Sequence, residues 1–159
     1  MAWGPLSGSA SQVIVSAADT DSLIFEVDTE QSGSANNTFV IPATGSVTYD
    51  VDWGDGSTDT GVSGSQTKVY STSGTYEIKI SNPSGAFDPL RFNNGGDKRK
   101  LTDIKQWGTI EWTTFQQAFR DCANMDISAT DVPDTSAVTT FYLAFYDCAS
   151  VTSFPSFDL

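Results

Sequence analysis

Four aspartates crowd one short stretch, Asp50, Asp52, Asp55 and Asp59, and closely spaced carboxylates are the raw material of a Ca²⁺ site when about six to eight oxygens converge. The calcium-loop order D-x-[DN]-x-[DN]-G is not met here. The cluster therefore reads as a solvated strand face plus a turn aspartate that hydrogen-bonds its own backbone. Asp121 and Asp147 could pair as acid and base, but they occupy equivalent places in two similar segments and are expected to cap or end helices. The chain has no histidine, which removes the commonest general base, the usual catalytic triads and most transition-metal sites. Cys122 and Cys148 are too few for a disulfide framework and are expected as buried free thiols. No catalytic, cofactor-binding or metal-binding residue is assigned, and the chain is not expected to be an enzyme.

Binding chemistry is less easily dismissed. Lys98-Arg99-Lys100 would suit an anionic glycan or a phosphate, although an exposed junction that offsets acidic modules explains the trio as well. Of four tryptophans, Trp53 and Trp112 fall on core faces, which leaves Trp3 and Trp107 as candidate exposed contacts. Asn36-Asn37-Thr38 matches a glycosylation sequon, of little weight without an export signal. With 20 acidic and 8 basic residues the net charge is -12, so nucleic acid is an unfavourable partner.

The elements that must position these groups are mostly strands. Residues 1–21, rich in small residues and with Val13 to Val15 as a short pairing stretch, read as an arm that docks on a partner surface. They carry no signal-peptide or membrane-span pattern, which points to a protein released by lysis and not inserted in a membrane. Leu23, Phe25 and Val27 then alternate with Ile24, Glu26 and Asp28. Phe39 to Ile41 follow a Ser/Gly/Asn loop. Val47, Tyr49, Val51 and Trp53 share one face, and the strand stops at Gly54-Asp55-Gly56. Val69 and Tyr70 precede a turn, after which Tyr76, Ile78 and Ile80 alternate with Glu77 and Lys79. Short strands broken by Gly-rich turns spell a β-sandwich, with Trp53, Tyr49, Val51, Tyr76 and Ile78 expected in its core.

Beyond the turn-rich junction 91–100 the period changes. Trp112, Phe115, Phe119 and Cys122 lie at steps of three and four, with Thr113/Gln116 or Thr114/Gln117 as a capping box, and predict a short helix. The segment FQQAFRDCANM (115–125) recurs as FYLAFYDCASV (141–151) with six identities in eleven positions, an offset of 26 residues. That period lies in the leucine-rich-repeat range, in which each unit must stack on a neighbour to bury its apolar face. The two cysteines are then expected to point inward on successive coils.

VDWGDGS (51–57) and VYSTSGTYEIKI (69–80) resemble the Ig-like polycystic kidney disease (PKD) domain, whose WGDG turn and Y-x-x-x-G-x-Y pair are matched here by Tyr70, Gly74 and Tyr76. The later segment is similar to the BspA-type leucine-rich repeats of bacterial surface proteins. The residues that carry this are Ile104 to Gly108, Trp112, the two F-x-x-A-F-x-D-C-A units and the connector Pro133 to Thr139. Together the resemblances cover residues 22–159 and imply a spacer or adhesion protein of the kind found on bacterial and phage surfaces.

The reading is a mainly β chain: an arm (1–21), an Ig-like sandwich (22–92) and a short leucine-rich-repeat-like solenoid with short helices (93–159). Its expected role is that of a non-enzymatic virion structural or surface protein, head-decoration or fibre-like, that serves assembly and adhesion. The alternatives are a fragment of a bacterial cell-surface adhesin or a carbohydrate-binding module. Expected partners are other virion proteins or copies of itself, with a cell-surface glycan or protein receptor further out. Trp3, Val13, Val15, Lys98, Arg99, Lys100 and Trp107 are the candidate partner-binding residues. An arm without a core and a repeat array ending at Phe154 and Phe157 without a polar cap predict that the chain does not work as an isolated monomer.

Overall fold

The computed structural model describes residues 18–154 and Phe157. Eight strands run in the order β1 (Leu23–Asp28), β2 (Thr38–Ile41), β3 (Thr48–Asp52), β4 (Thr58–Ser63), β5 (Gln66–Val69), β6 (Thr75–Ser81), β7 (Leu101–Gln106) and β8 (Asp126–Ile127). Six form one sheet in the order β4-β3-β6-β1-β7-β8, and β2 pairs with β5 in a second. The strict alternation of β1 buries Leu23, Phe25 and Val27 completely. Its central place in the sheet follows, since both of its edges are paired antiparallel, to β6 and to β7.

The two sheets face each other in a sandwich-like arrangement, with Phe25 of β1 and Phe39 of β2 in ring contact at 6.1 Å across the core. Tyr49, Val51, Trp53 and Ile78 are buried, as their alternation requires. Tyr76 is only half-buried. Tyr70 takes the core position, stacked on Tyr76 at 3.7 Å with its hydroxyl donating to the Trp53 carbonyl. The WGDG turn works through geometry that only glycine tolerates. Gly54 has φ 75°, and a Cβ there would collide with the Glu77 carbonyl oxygen.

The sheet does not stop at the junction. β7 hydrogen-bonds along β1, and β8 adds parallel to β7, so residues on both sides of 92–93 share one set of strands. Neither β4, almost wholly exposed, nor β7 shows a period-2 pattern in its sequence that would have predicted it.

Residues 112–125 and 138–151 are not helical, which corrects the helix expected from the steps of three and four. Each is a tandem of four-residue turns. Ala118 and Cys122 donate to the carbonyls of Phe115 and Phe119, and Ala144 and Cys148 repeat this with Phe141 and Phe145. The third residue of each turn is left-handed: Gln117 (φ 56°) and Asp121 (61°), then Leu143 (52°) and Asp147 (58°). Turns of four residues and helical turns of about 3.6 place apolar side chains at nearly the same intervals, so spacing alone does not separate them. The expected capping box is also replaced, because Thr114 Oγ1 accepts the Gln116 amide two residues on, as Thr140 Oγ1 accepts that of Tyr142.

What replaces the intrahelical bonds is a ladder between the two segments. The amides of Phe115, Gln117, Phe119 and Asp121 donate to the carbonyls of Thr140, Tyr142, Ala144 and Tyr146 at 2.8–3.1 Å. Aromatic rings follow the same register, with Phe115 stacked on Phe141 at 5.1 Å and Phe119 on Phe145 at 5.2 Å.

Two substitutions test this architecture. Trp53→Ala empties a buried site and strips Asp59 of its indole donor; urea unfolding is expected to show a loss of about 3–5 kcal/mol. Gln117→Gly relieves a left-handed residue whose strain is about 1–2 kcal/mol, less the extra freedom glycine gains when unfolded. Its unfolding free energy is expected to hold or to rise by up to about 1 kcal/mol, where a helix would lose about 1 kcal/mol. A loss of that size would overturn the turn assignment.

Candidate functional site

The candidate binding residues separate into different environments. Trp3, Val13 and Val15 lie outside the described residues. Trp107 is fully buried, which corrects its expected exposure: it meets Trp112 at 6.0 Å, Phe115 at 6.1 Å and Phe119 at 5.9 Å. Its backbone explains the position, since the amides of Trp107 and Gly108 both donate to the Asp131 carboxylate and draw the chain into a turn beneath the aromatic rings. No face of this indole is left for a sugar.

The basic trio does not form a patch either. Arg99 is exposed, and Lys98 is half-buried with its ammonium on the Asn94 side chain. Lys100, expected at an exposed junction, is wholly buried. Its Nζ donates to the carbonyls of Ala35 and Thr38 at 2.8 Å and of Ser34 at 3.1 Å, and to Ser34 Oγ at 3.2 Å. Burial pushes this ammonium below the ordinary lysine range, against the opposing pull of Asp97 and Asp28. Asp97 is buried beside the same loop and accepts from Ser34 N at 2.6 Å, Ser34 Oγ at 2.9 Å and Val40 N at 2.8 Å. The two charges hold one loop from both polarities and face no solvent.

The acidic stretch is likewise consumed by local structure. Asp50 accepts from Gly61 N and Asn82 Nδ2, Asp52 from Gly54 N, and Asp59 from Trp53 Nε1. Asp55 is held down to about 2 by hydrogen bonds from Ser57 and Lys68. Among the described residues no three His, Cys, Asp or Glu side chains converge on a point that could hold a metal ion. Asp121 and Asp147 fill the left-handed turn positions and cap no helix.

Both cysteines are free, Cys122 buried and Cys148 half-buried, at matching positions of the two segments. Cys148 Sγ donates to the Phe119 carbonyl of the neighbouring segment at 3.0 Å. Burial raises both thiols, Cys148 to about 11 and Cys122 further. Neither is poised as a nucleophile, because the thiolate is the reactive form.

The exposed large apolar side chains of this segment are Tyr142 (61% exposed), Tyr146 (56%) and Phe154 (54%), with Phe141 and Phe145 half-buried and Phe154 in ring contact with Phe145 at 5.1 Å. The sequence reading names Phe154 at an uncapped repeat end but does not single out the two tyrosines. Tyr142 and Tyr146 replace Gln116 and Arg120 of the first segment. That exchange of polar for aromatic residues at the variable positions of the repeat is the signal that could have found them. Comparisons of the chain with protein families, with curated proteins and with solved structures find no match.

The thiol environment makes a pH-dependent prediction. Iodoacetamide alkylation of the native chain, followed by mass spectrometry, is expected to be slow at neutral pH. Modification of Cys148 should accelerate as pH rises towards about 11, and Cys122 should react only after unfolding. Fast alkylation of Cys122 in the folded protein at neutral pH would contradict this burial.

Proposed function

We propose that this chain is a non-enzymatic structural and surface component of a virion, head-decoration or fibre-like, that serves assembly and adhesion. In finer terms it is a PKD-type Ig-like sandwich that leads into stacked coils of the BspA leucine-rich-repeat kind. The Trp53–Asp59 and Tyr70–Trp53 bonds around the WGDG turn support the first part. The ladder between residues 115–121 and 140–146 supports the second.

One observation carries the functional reading. The candidate chemical groups described above are tied up in holding backbone, while the large aromatic side chains Tyr142, Tyr146 and Phe154 are each more than half exposed. Exposed aromatic side chains are enriched where proteins meet. A surface that seeks contact, joined to a rigid β scaffold, is the equipment of an assembly component and not of a catalyst.

The test is to fractionate lysates of cells that produce the particle on a density gradient and to follow this chain by immunoblot. It is expected to band with intact particles, and deletion of residues 1–21 is expected to release it. Recovery only with the cell envelope would replace this reading with the cell-surface adhesin. Binding to a glycan array without particle association would favour the carbohydrate-binding module.

A further inference from the structure

The two sheets of the sandwich have four edges between them, and three are unsuited to a further strand. On the outer edge of β2 the Thr38 amide donates to the Ala35 carbonyl and the Val40 amide to Asp97, while the Thr38 carbonyl accepts Lys100. β4 is bulged against β3, with Gly61 at φ 62° and its amide on Asp50, and β8 is two residues long. Bulges, charged side chains and shortness are the devices that keep sheet edges from pairing. β5 is paired to β2 in unbroken register and has no such interruption. The Tyr70 amide donates to the Asn37 carbonyl, so Tyr70 faces β2. The alternation of an antiparallel ladder then turns Lys68 and Gln66 the same way, and Thr67 and Val69 outward. Among the described residues the amides and carbonyls of Thr67 and Val69 have no hydrogen-bond partner.

Charge is divided between the sheets in the same sense. Every strand of the six-stranded sheet carries at least one carboxylate, whereas β2 and β5 carry none, and no Asp or Glu occurs in residues 31–49 or 60–76. In a chain of net charge -12, the smaller sheet is therefore the one on which two copies approach with less repulsion. We propose that β5 pairs antiparallel with β5 of a second copy about a two-fold axis at Lys68, which joins the two-stranded sheets into one of four strands. In that register Thr67 faces Val69 of the second copy, and each such pair exchanges both of its hydrogen bonds, so the four free groups of each chain are all used. The β-branched side chains lie side by side, a pairing that sheets favour. They cover Val69, which at 64% is the most exposed large apolar side chain among the described residues. Lys68 meets its copy at the axis, but each brings Asp55 2.9 Å from its ammonium, so the like charges face each other already paired. A strand edge whose donors and acceptors alternate is its own complement, which favours a second copy over a foreign strand. The pairing gives the assembly role proposed above a surface, yet it rests on strand geometry and charge and not on the virion reading: a chain that bands with no particle still dimerises here.

Sedimentation equilibrium of the intact chain is expected to show a monomer–dimer equilibrium that tightens about threefold or more between roughly 0.05 and 0.5 M NaCl, because salt screens the repulsion between the copies. Thr67→Pro removes an outward donor without touching the β2 ladder, and is expected to weaken dimerisation by about tenfold or more. Val69→Asp, at an exposed position that the monomer fold tolerates, is expected to weaken it likewise by adding a carboxylate on each side of the axis. Thr67→Val keeps the amide and is expected to leave the dimer as tight or tighter. In residue-resolved hydrogen exchange the amides of Thr67 and Val69 are expected to gain protection as protein concentration rises. A chain that stays monomeric up to about 1 mM would overturn the proposal, as would a dimer that survives both Thr67→Pro and Val69→Asp. Protection of the two amides that does not change on dilution would also overturn it, because the edge is then filled within one chain.

Discussion

Two buried charges on one short turn hold the rest of this molecule in place. Asp97 and Lys100 sit three residues apart, with the Lys100 amide donating to the Asp97 carbonyl, and their side chains divide the polar groups of the 34–40 segment between them. The carboxylate takes the amides of Ser34 and Val40, and the ammonium takes the carbonyls of Ser34, Ala35 and Thr38. The Lys100 carbonyl in turn accepts the Asp28 amide at the end of β1. The second sheet, the central strand and the start of β7 therefore meet at one point. Burying an ion costs several kcal/mol, and only a full set of hydrogen bonds offsets it. Here that set is backbone together with the Ser34 hydroxyl, so the fold must be complete before the charges are satisfied. No side chain can approach more closely, because a Cβ on Gly33 would collide with the Asp97 carboxylate.

The same principle accounts for the acidity of the chain. Charge of one sign in this excess opposes compaction, yet several of these carboxylates are spent on donors where the chain leaves a strand or begins a coil. Asp131 receives the amides of Trp107 and Gly108, Asp88 the Thr114 amide and the Thr113 hydroxyl, and Asp103 the amide and hydroxyl of Ser128. An irregular backbone with few strands and no helix among the described residues has many amides without regular partners, and every buried one must find an acceptor. Aspartate, short and with two acceptor oxygens, is the residue suited to that work.

How far all this is legible in the sequence depends on which physical signal is local. Strands β1, β3 and β6 are written in alternation, and the burial of Leu23, Tyr49, Val51, Trp53 and Ile78 follows from it. Internal repetition is also legible, since the offset of 26 residues places the two coils, their cysteines and their phenylalanines in register. What local pattern does not carry is the partner of a group. Lys100 reads as one of three surface cations until the carbonyls 62–66 residues away are brought to it. Trp107 reads as exposed until Asp131 turns it under Trp112 and Phe119. The helix misreading has the same origin, because the deciding bonds run between residues 25 apart and not four.

That last difference has a consequence for what a repeat of this kind can do. A helix satisfies its own backbone and can end in solvent with only its terminal groups unpaired. A coil of left-handed turns satisfies only half of its amides and depends on the next coil for the rest. Its non-glycine residues at positive φ, each strained by about 1–2 kcal/mol, are tolerated because the ladder and the stacked rings over-determine them. The strain is shared equally by the two coils, whereas the donors without a partner among the described residues lie in the second. In this chain Leu143 and Asp147 carry the positive φ there, flanked by exposed Tyr142 and Tyr146. A module built in this way is directional: the first coil receives the amides of Phe92 and Asn93 on one side and donates to the second coil on the other. The unpaired donors there are thus a property of the backbone before they are a property of any side chain.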